Sequence, residues 1–232
     1  MKSEKSCEIC ARRECFLYRN CVPEWHDELS RNKTCIRFDK NKQVIVEGTP
    51  VAGAYFIEKG KVKVFKETTY RGQIVRLAKD GDILGHRGIE EGSKYHVSAT
   101  TLEESLICFV EKEFLMKLMK NNAMLSMEMM HYYAGELRKS ETQLRNMAIM
   151  TVRERVADAL LMVRKAFSDE DESSLGIDFS RHDIAEIAGT YADQVSRYIS
   201  EFKSDKIIEV SGKKIKFLQP EKLAELVEKY DS

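Results

Sequence analysis

Six of the 232 residues are cysteines, and four of them crowd the first 21 positions: Cys7, Cys10, Cys15 and Cys21. Cys35 and Cys108 stand apart. Cysteines bunched in a segment without apolar periodicity do not fill a core; their thiolates bind soft metals or pair as disulfides. Cys7-x2-Cys10 has the form of half a zinc knuckle, but Cys15 and Cys21 do not repeat its spacing. A cubane iron–sulfur cluster wants four thiolates. Structural zinc on Cys7, Cys10, Cys15 and Cys21, a cluster, and thiol–disulfide exchange are all open to such a set. Cys35 and Cys108, taken singly, read as buried apolar cysteines on strands.

A second chemistry lies near the other end. Asp193, Gln194, Ser196, Arg197 and Ser200 are polar and mostly short, and they alternate with the apolar Val195, Ile199 and Phe202. Arginine can bridge guanine O6 and N7, aspartate can accept from cytosine N4, and serine is permissive. Lys213, Lys214 and Lys216 follow the turn Ser211-Gly212, placed for phosphates. No Ser/His/Asp order, paired-carboxylate motif or phosphate-cradling glycine loop stands out, so an enzyme is not expected. The five histidines are scattered. Only His86 and His96 could sit near one another, as ordinary polar residues or as haem or metal ligands.

The base-reading residues need a helix to hold them, and the sequence supplies one. Ser180-Arg-His-Asp183 caps a short helix that ends at Gly189; Gly189–Ala192 is the turn, and Asp193–Phe202 the second helix. Ile207–Val210 and Lys213–Leu218 then predict a two-stranded wing. Upstream, Thr151–Phe167 predicts a helix with Val152, Val156, Ala159, Leu160 and Val163 on one face, and 111–120 a shorter one.

Residues 123–147 predict a long helix. Ser126, Met130, Tyr133, Leu137, Ser140, Leu144 and Met147 form a heptad seam along it, read as a parallel dimer interface carried by Met130, Tyr133, Leu137 and Leu144. Before the helices, short β-branched runs at Gln43–Glu47, Ala54–Glu58, Lys61–Phe65, Gln73–Leu77, Tyr95–Leu102 and Ser105–Val110 alternate with glycine turns. That texture predicts a small sandwich or barrel. Hydrophobic content of 43% supports a real core, and no apolar run is long enough to span a membrane. The charged Met1–Ser6 is not a secretory signal, so the expected compartment is the cytoplasm. Zero net charge argues against a general polyanion binder, not against a local basic face.

Over essentially its whole length the chain resembles the Crp/Fnr family of bacterial transcription regulators. Ala192-Asp-Gln-Val-Ser-Arg197 is similar to the family's recognition-helix motif, usually Glu-Thr-Val-Ser-Arg. The run Gly48…Tyr55-Phe-Ile-Glu-Lys-Gly60-Lys-Val-Lys-Val64…Gly81-Asp-Ile-Leu-Gly85 is similar to its cyclic-nucleotide-binding β-roll. The resemblance implies an α+β chain in four parts: a cysteine-rich sensor segment 1–25, a cyclic-nucleotide-binding-like β-roll (jelly-roll) 26–116, a dimerisation helix 117–147 and a winged helix-turn-helix 148–232. It implies Asp193, Ser196 and Arg197 as base readers on palindromic double-stranded DNA, a homodimer, and RNA polymerase as a partner. In the family's oxygen-sensing Fnr branch, three clustered cysteines and one distant cysteine hold an iron–sulfur cluster. Here that implies a [4Fe-4S] cluster on Cys7, Cys10, Cys15 and Cys108, with Cys21 as substitute for Cys15. Cyclic AMP is disfavoured: His86 stands where nucleotide-binding members carry Glu, and Ser93-Lys-Tyr-His96 where they carry Arg. Asp193 for Glu and Gln194 for Thr depart from the motif, so the half-site sequence does not transfer.

Overall fold

The computed structural model describes residues 2–3, 15–67, 72–88, 92–167, 179–212, 214–228 and 230. They form two compact units: Met1–Lys66 with Ala78–Leu137, and Glu67–Leu77 with Arg138–Ser232.

The first unit is built on antiparallel strands. β1 (Lys2–Ser3), β2 (Lys33–Phe38), β9 (Ser105–Glu111), β4 (Gly53–Lys59) and β7 (Ile83–Leu84) make one sheet in the order β1-β2-β9-β4-β7. In a second sheet β3 (Gln43–Ile45), β8 (Ser98–Thr101) and β5 (Val62–Glu67) are neighbours in that order. β6 (Gly72–Ala78) straddles the division between the units. β9 is flanked on both sides in the sheet; its Ile107, Cys108 and Val110 are buried, and Leu106 and Phe109 are half-buried. Two short helices, α1 (Phe16–Asn20) and α2 (His26–Arg31), precede β2. α3 (Lys112–Lys120) and the first half of α4 (Ala123–Ile149) follow β9. Phe16, Leu17, Phe56, Val110, Leu115, Leu118, Leu125 and Met129 pack into one core, so α1 and both later helices are anchored by the roll's apolar face.

The second unit takes the rest of α4, then α5 (Val152–Phe167), α6 (Arg181–Ala188), α7 (Ala192–Ser204), the hairpin β10 (Ile208–Ser211) with β11 (Lys214–Phe217), and α8 (Pro220–Glu228). Val156, Ala159, Leu160 and Val163 of α5 are buried, as the helical spacing predicts. At its start Glu154 Oε2 accepts from Thr151 N (2.8 Å), and Thr151 Oγ1 from Glu154 N (3.4 Å): a capping box.

All six predicted strands form, two of them shortened: 43–47 shrinks to Gln43–Ile45 and 95–102 to Ser98–Thr101. β2 and α8 were not expected. The 27-residue α4 runs two residues beyond the expected end. No helix among the described residues is long and apolar enough to cross a membrane.

Candidate DNA-binding face and thiol site

Local devices define both ends of α6, the second at the turn into α7. At the start of α6, Ser180 Oγ accepts from Asp183 N (3.1 Å) while Asp183 Oδ2 accepts from Ser180 N (3.1 Å). This is a full capping box, stronger than the sequence reading of a cap with a nearby acid. At its end Gly189 takes a left-handed conformation (φ 61°), which a side chain would resist, and its N–H donates to Ala185 O. α7 then buries Val195, Ile199 and Phe202. Arg153 reaches across from α5 to Glu201 (2.7 Å) and lies over the Phe202 ring, holding α7 from behind.

Burying that face leaves Asp193, Ser196, Arg197 and Ser200 exposed, at the i, i+3, i+4, i+7 spacing of a single stripe; Gln194 is half-buried. The serine hydroxyls donate to their own helix, Ser196 to Ala192 O and Ser200 to Ser196 O, both at 2.8 Å. Rotation about χ1 frees them for another acceptor. Tyr191, 68% exposed at the N-cap of α7, was missed by sequence reasoning; its position just before the polar helix was the available signal. In the wing, Ile215 and Phe217 are buried, and Lys214 and Lys216 point to solvent. Glu209 lies directly opposite Lys216 and tempers its field, also unforeseen. Lys213 lies outside the described residues.

The thiols are distributed differently from expectation. Cys7 and Cys10 lie outside the described residues. Cys15 caps the start of α1 and Cys21 its end, both as thiols, and Cys21 is buried. Cys108 is buried on β9 but not alone. Cys35 sits directly across from it on β2, Cα–Cα 4.0 Å, and the two sulfurs form a disulfide. The expectation that Cys35 is an inert apolar residue is corrected: strand register makes it the partner of Cys108. A cavity of about 30 Å³ adjoins them, with Cys15, Lys33, Phe56, Glu58 and Cys108 in its lining.

The segment carrying Cys15 and Cys21 is tied to the beginning of α4. Asn122 Oδ1 accepts from Val22 N (3.0 Å), and Phe16 meets the Tyr132 ring edge-on. His26 stacks on Tyr18, and its Nε2 lies 3.0 Å from Cys21 O.

On α4 itself the seam divides. Met130, Leu137 and Leu144 are 65%, 61% and 73% exposed, and Met127 joins them. Tyr133 is half-buried, and its hydroxyl donates to His86 O (2.5 Å) on the roll. Burial lifts the Tyr133 phenol above its ordinary pKa, with Arg87 pulling the other way. His86 is buried, its ring between Tyr132 and Tyr133; His96 is exposed, so the two do not share an environment. Within the roll, burial pushes Tyr55 up to about 12, with the neighbouring Tyr95 adding to the effect, so Tyr55 stays neutral at ordinary pH.

Comparison with known proteins matches these two constructions separately. The cyclic nucleotide-binding domain matches residues 35–122, and the Crp-like helix-turn-helix domain matches residues 154–226. A CRP-like cAMP-activated global transcriptional regulator of Mycobacterium tuberculosis is 24% identical over 220 residues, 94% of this chain and 97% of that one. The fumarate and nitrate reduction regulatory protein of Escherichia coli is 24% identical over 225 residues, 92% of this chain and 88% of its own. The solved structure of FixK2 from Bradyrhizobium japonicum superposes with a TM-score of 0.75 at 24% identity, covering 84% of this chain and 97% of FixK2. A cyclic nucleotide-binding-type β-roll followed by a long helix and a Crp-like helix-turn-helix is the build of a DNA-binding transcription regulator. The chain belongs to the Crp/Fnr family of transcription regulators.

Proposed function

We propose that the chain is a homodimeric, redox-responsive regulator that reads a palindromic operator through Asp193, Ser196 and Arg197, with Gln194 at the margin and Lys213, Lys214 and Lys216 on phosphates. The observation that carries the DNA reading is the exposed Asp193–Ser200 stripe on α7, a helix held by its buried Val195, Ile199 and Phe202 and by the Arg153–Glu201 pair, in the same unit as a wing with outward lysines. Arg and Asp specify bases, whereas the lysines position the duplex.

The sensory part of the proposal rests on Cys15 and Cys108 lining one cavity. Cys7, Cys10, Cys15 and Cys108 would hold an iron–sulfur cluster, with Cys21 as substitute for Cys15. The donors suit such a group once the Cys35–Cys108 bond is reduced. When bound, the cluster supplies reactivity toward oxygen or nitric oxide. The chain's own part is transmission. Asn122 and Tyr132 link the cysteine segment to the start of α4, so a change in that segment acts on the helix proposed to dimerise. His86 belongs to this linkage, wedged between Tyr132 and Tyr133 rather than offered to a nucleotide ribose. A state stabilised by the sensor then shifts the population able to bind DNA.

The test is the absorption spectrum and metal content of protein purified without oxygen. A broad visible band, bleached by air, is expected, and Cys108→Ala removes both iron and tight operator binding. Colourless protein holding zinc on Cys7, Cys10, Cys15 and Cys21, or Cys108→Ala with full iron, overturns the sensor assignment. Neither result affects the DNA-reading face.

A further inference from the structure

The geometry points to a second metal site in the roll: Cys35, Cys108 and Glu58, with both sulfurs reduced, bind one thiophilic divalent cation such as zinc. It goes beyond the cluster proposal and needs none of the N-terminal thiols; Cys108 alone is common to both.

Three observations converge. The sulfurs of Cys35 and Cys108 and a carboxylate oxygen of Glu58 all lie within 4.8 Å of one another. Ligands around a tetrahedral zinc stand roughly 3.3–3.8 Å apart, given bond lengths of about 2.0–2.3 Å. Side-chain rotation without strand movement closes that difference. Next, Glu58 Oε2 is buried without a hydrogen-bond partner. A buried carboxylate oxygen left unpaired is costly. Lys33 lines the same cavity, yet among the described residues no ion pair joins it to Glu58. Reducing the disulfide puts two ionisable thiols beside that carboxylate, and three negative donors in an apolar pocket call for a cation. Finally, the adjoining cavity of about 30 Å³ has room for a fourth, water-sized ligand and little more. That volume suits a single ion with an open position.

The site forms from the dithiol. Two electrons and two protons from an external dithiol, itself converted to a disulfide, open the Cys35–Cys108 bond. The cation then displaces the two thiol protons, and Glu58 binds as carboxylate. Exchange with an external disulfide, which takes the two electrons and leaves as a dithiol, re-forms the Cys35–Cys108 bond and expels the ion, so occupancy reports the thiol redox state.

Cobalt(II) serves as the probe, since thiolate ligation gives it a charge-transfer absorption. The full chain carrying Cys7→Ser, Cys10→Ser, Cys15→Ser and Cys21→Ser is reduced, stripped with a chelator and titrated, with circular dichroism confirming its fold. One cobalt per chain with a thiolate band is expected. On that background Cys35→Ser abolishes the band, and Glu58→Gln weakens binding at least about tenfold. A folded four-serine chain without the band overturns the site, as does unchanged affinity in Glu58→Gln. Should the four-serine chain not fold, the same Cys35→Ser and Glu58→Gln changes are made in the otherwise native sequence. There Cys35→Ser lowers cobalt stoichiometry by one and Glu58→Gln weakens one cobalt site at least about tenfold; the absence of both effects overturns the site. Anaerobic iron content separates the two proposals: Glu58→Gln leaves it unchanged if the cluster exists, and absence of iron from the wild type sinks the cluster without touching this site.

Discussion

Arg197 owes its proposed role to what surrounds it. Val195 and Ile199 are buried on one side of α7, so Arg197 is turned outward in line with Asp193 and Ser196. Its guanidinium lies over the Tyr198 ring, 5.4 Å from the centroid, which restrains the side chain before DNA arrives. Arg197→Ala is therefore expected to cost about 1–3 kcal/mol on the best operator and to relax base preference at one position in each half-site. A titration at fixed salt against a set of single-base operator variants measures both; equal binding of mutant and wild type refutes the assignment. This stripe was legible in the sequence because an amphipathic period decides which side chains face out. The Cys35–Cys108 pair was not. The two residues are 73 positions apart, and only the register of β2 on β9 brings them opposite. Glu58 was hidden for the same reason: a charged residue at the end of an apolar strand reads as solvated until the neighbouring strands are in place.

Elements were readable where punctuation was strong. The glycine turns marked six strands, and the Ser180 and Gly189 ends marked α6 to the residue. β2 escaped because Lys33, Thr34 and Arg37 break the apolar pattern of a short strand; only Cys35 is fully buried. α8 had a signal that went unused, Pro220 at its first position with Leu223 and Val227 one turn apart. The capping box on α6 has a measurable weight. Ser180→Ala removes the acceptor for Asp183 N and the hydroxyl that donates to Asp183 Oδ2, leaving only the backbone half of the box, at a cost of about 1 kcal/mol. In a chain of this size that lowers the unfolding midpoint by about 2–4 °C. Thermal denaturation followed by circular dichroism checks it. An unchanged midpoint means that packing of Ile184 and Ile187, not the cap, sets the start of the helix.

The whole molecule turns on α4, whose two sides have different work. Leu125 and Met129 are buried in the core of the first unit, Tyr132 and Tyr133 touch the roll around His86, and Glu136 is buried against Arg87 (3.3 Å). That side is complete within one chain. The other carries Met127, Met130, Leu137 and Leu144, a run of exposed apolar side chains at helical spacing along some 18 residues. In the homodimer proposed above, a second copy of the same helix would cover it, since a two-fold interface sets each residue near its own counterpart. Tyr133, half-buried beside that run, also ties the helix to the roll through its hydroxyl bond to His86 O. Leu137→Glu tests the division. Leu137 contributes little to the fold of one chain, being 61% exposed, so the variant remains folded. Across the two-fold, however, it sets two like charges in an apolar seam, where desolvation is not repaid. Multi-angle light scattering is expected to show monomer at micromolar concentration in place of dimer. Operator affinity falls with it, because the two half-sites about 34 Å apart then bind independent chains. A stable dimer in the variant moves the interface off this stripe, and the exposed methionines and leucines of α4 would then belong to a different partner.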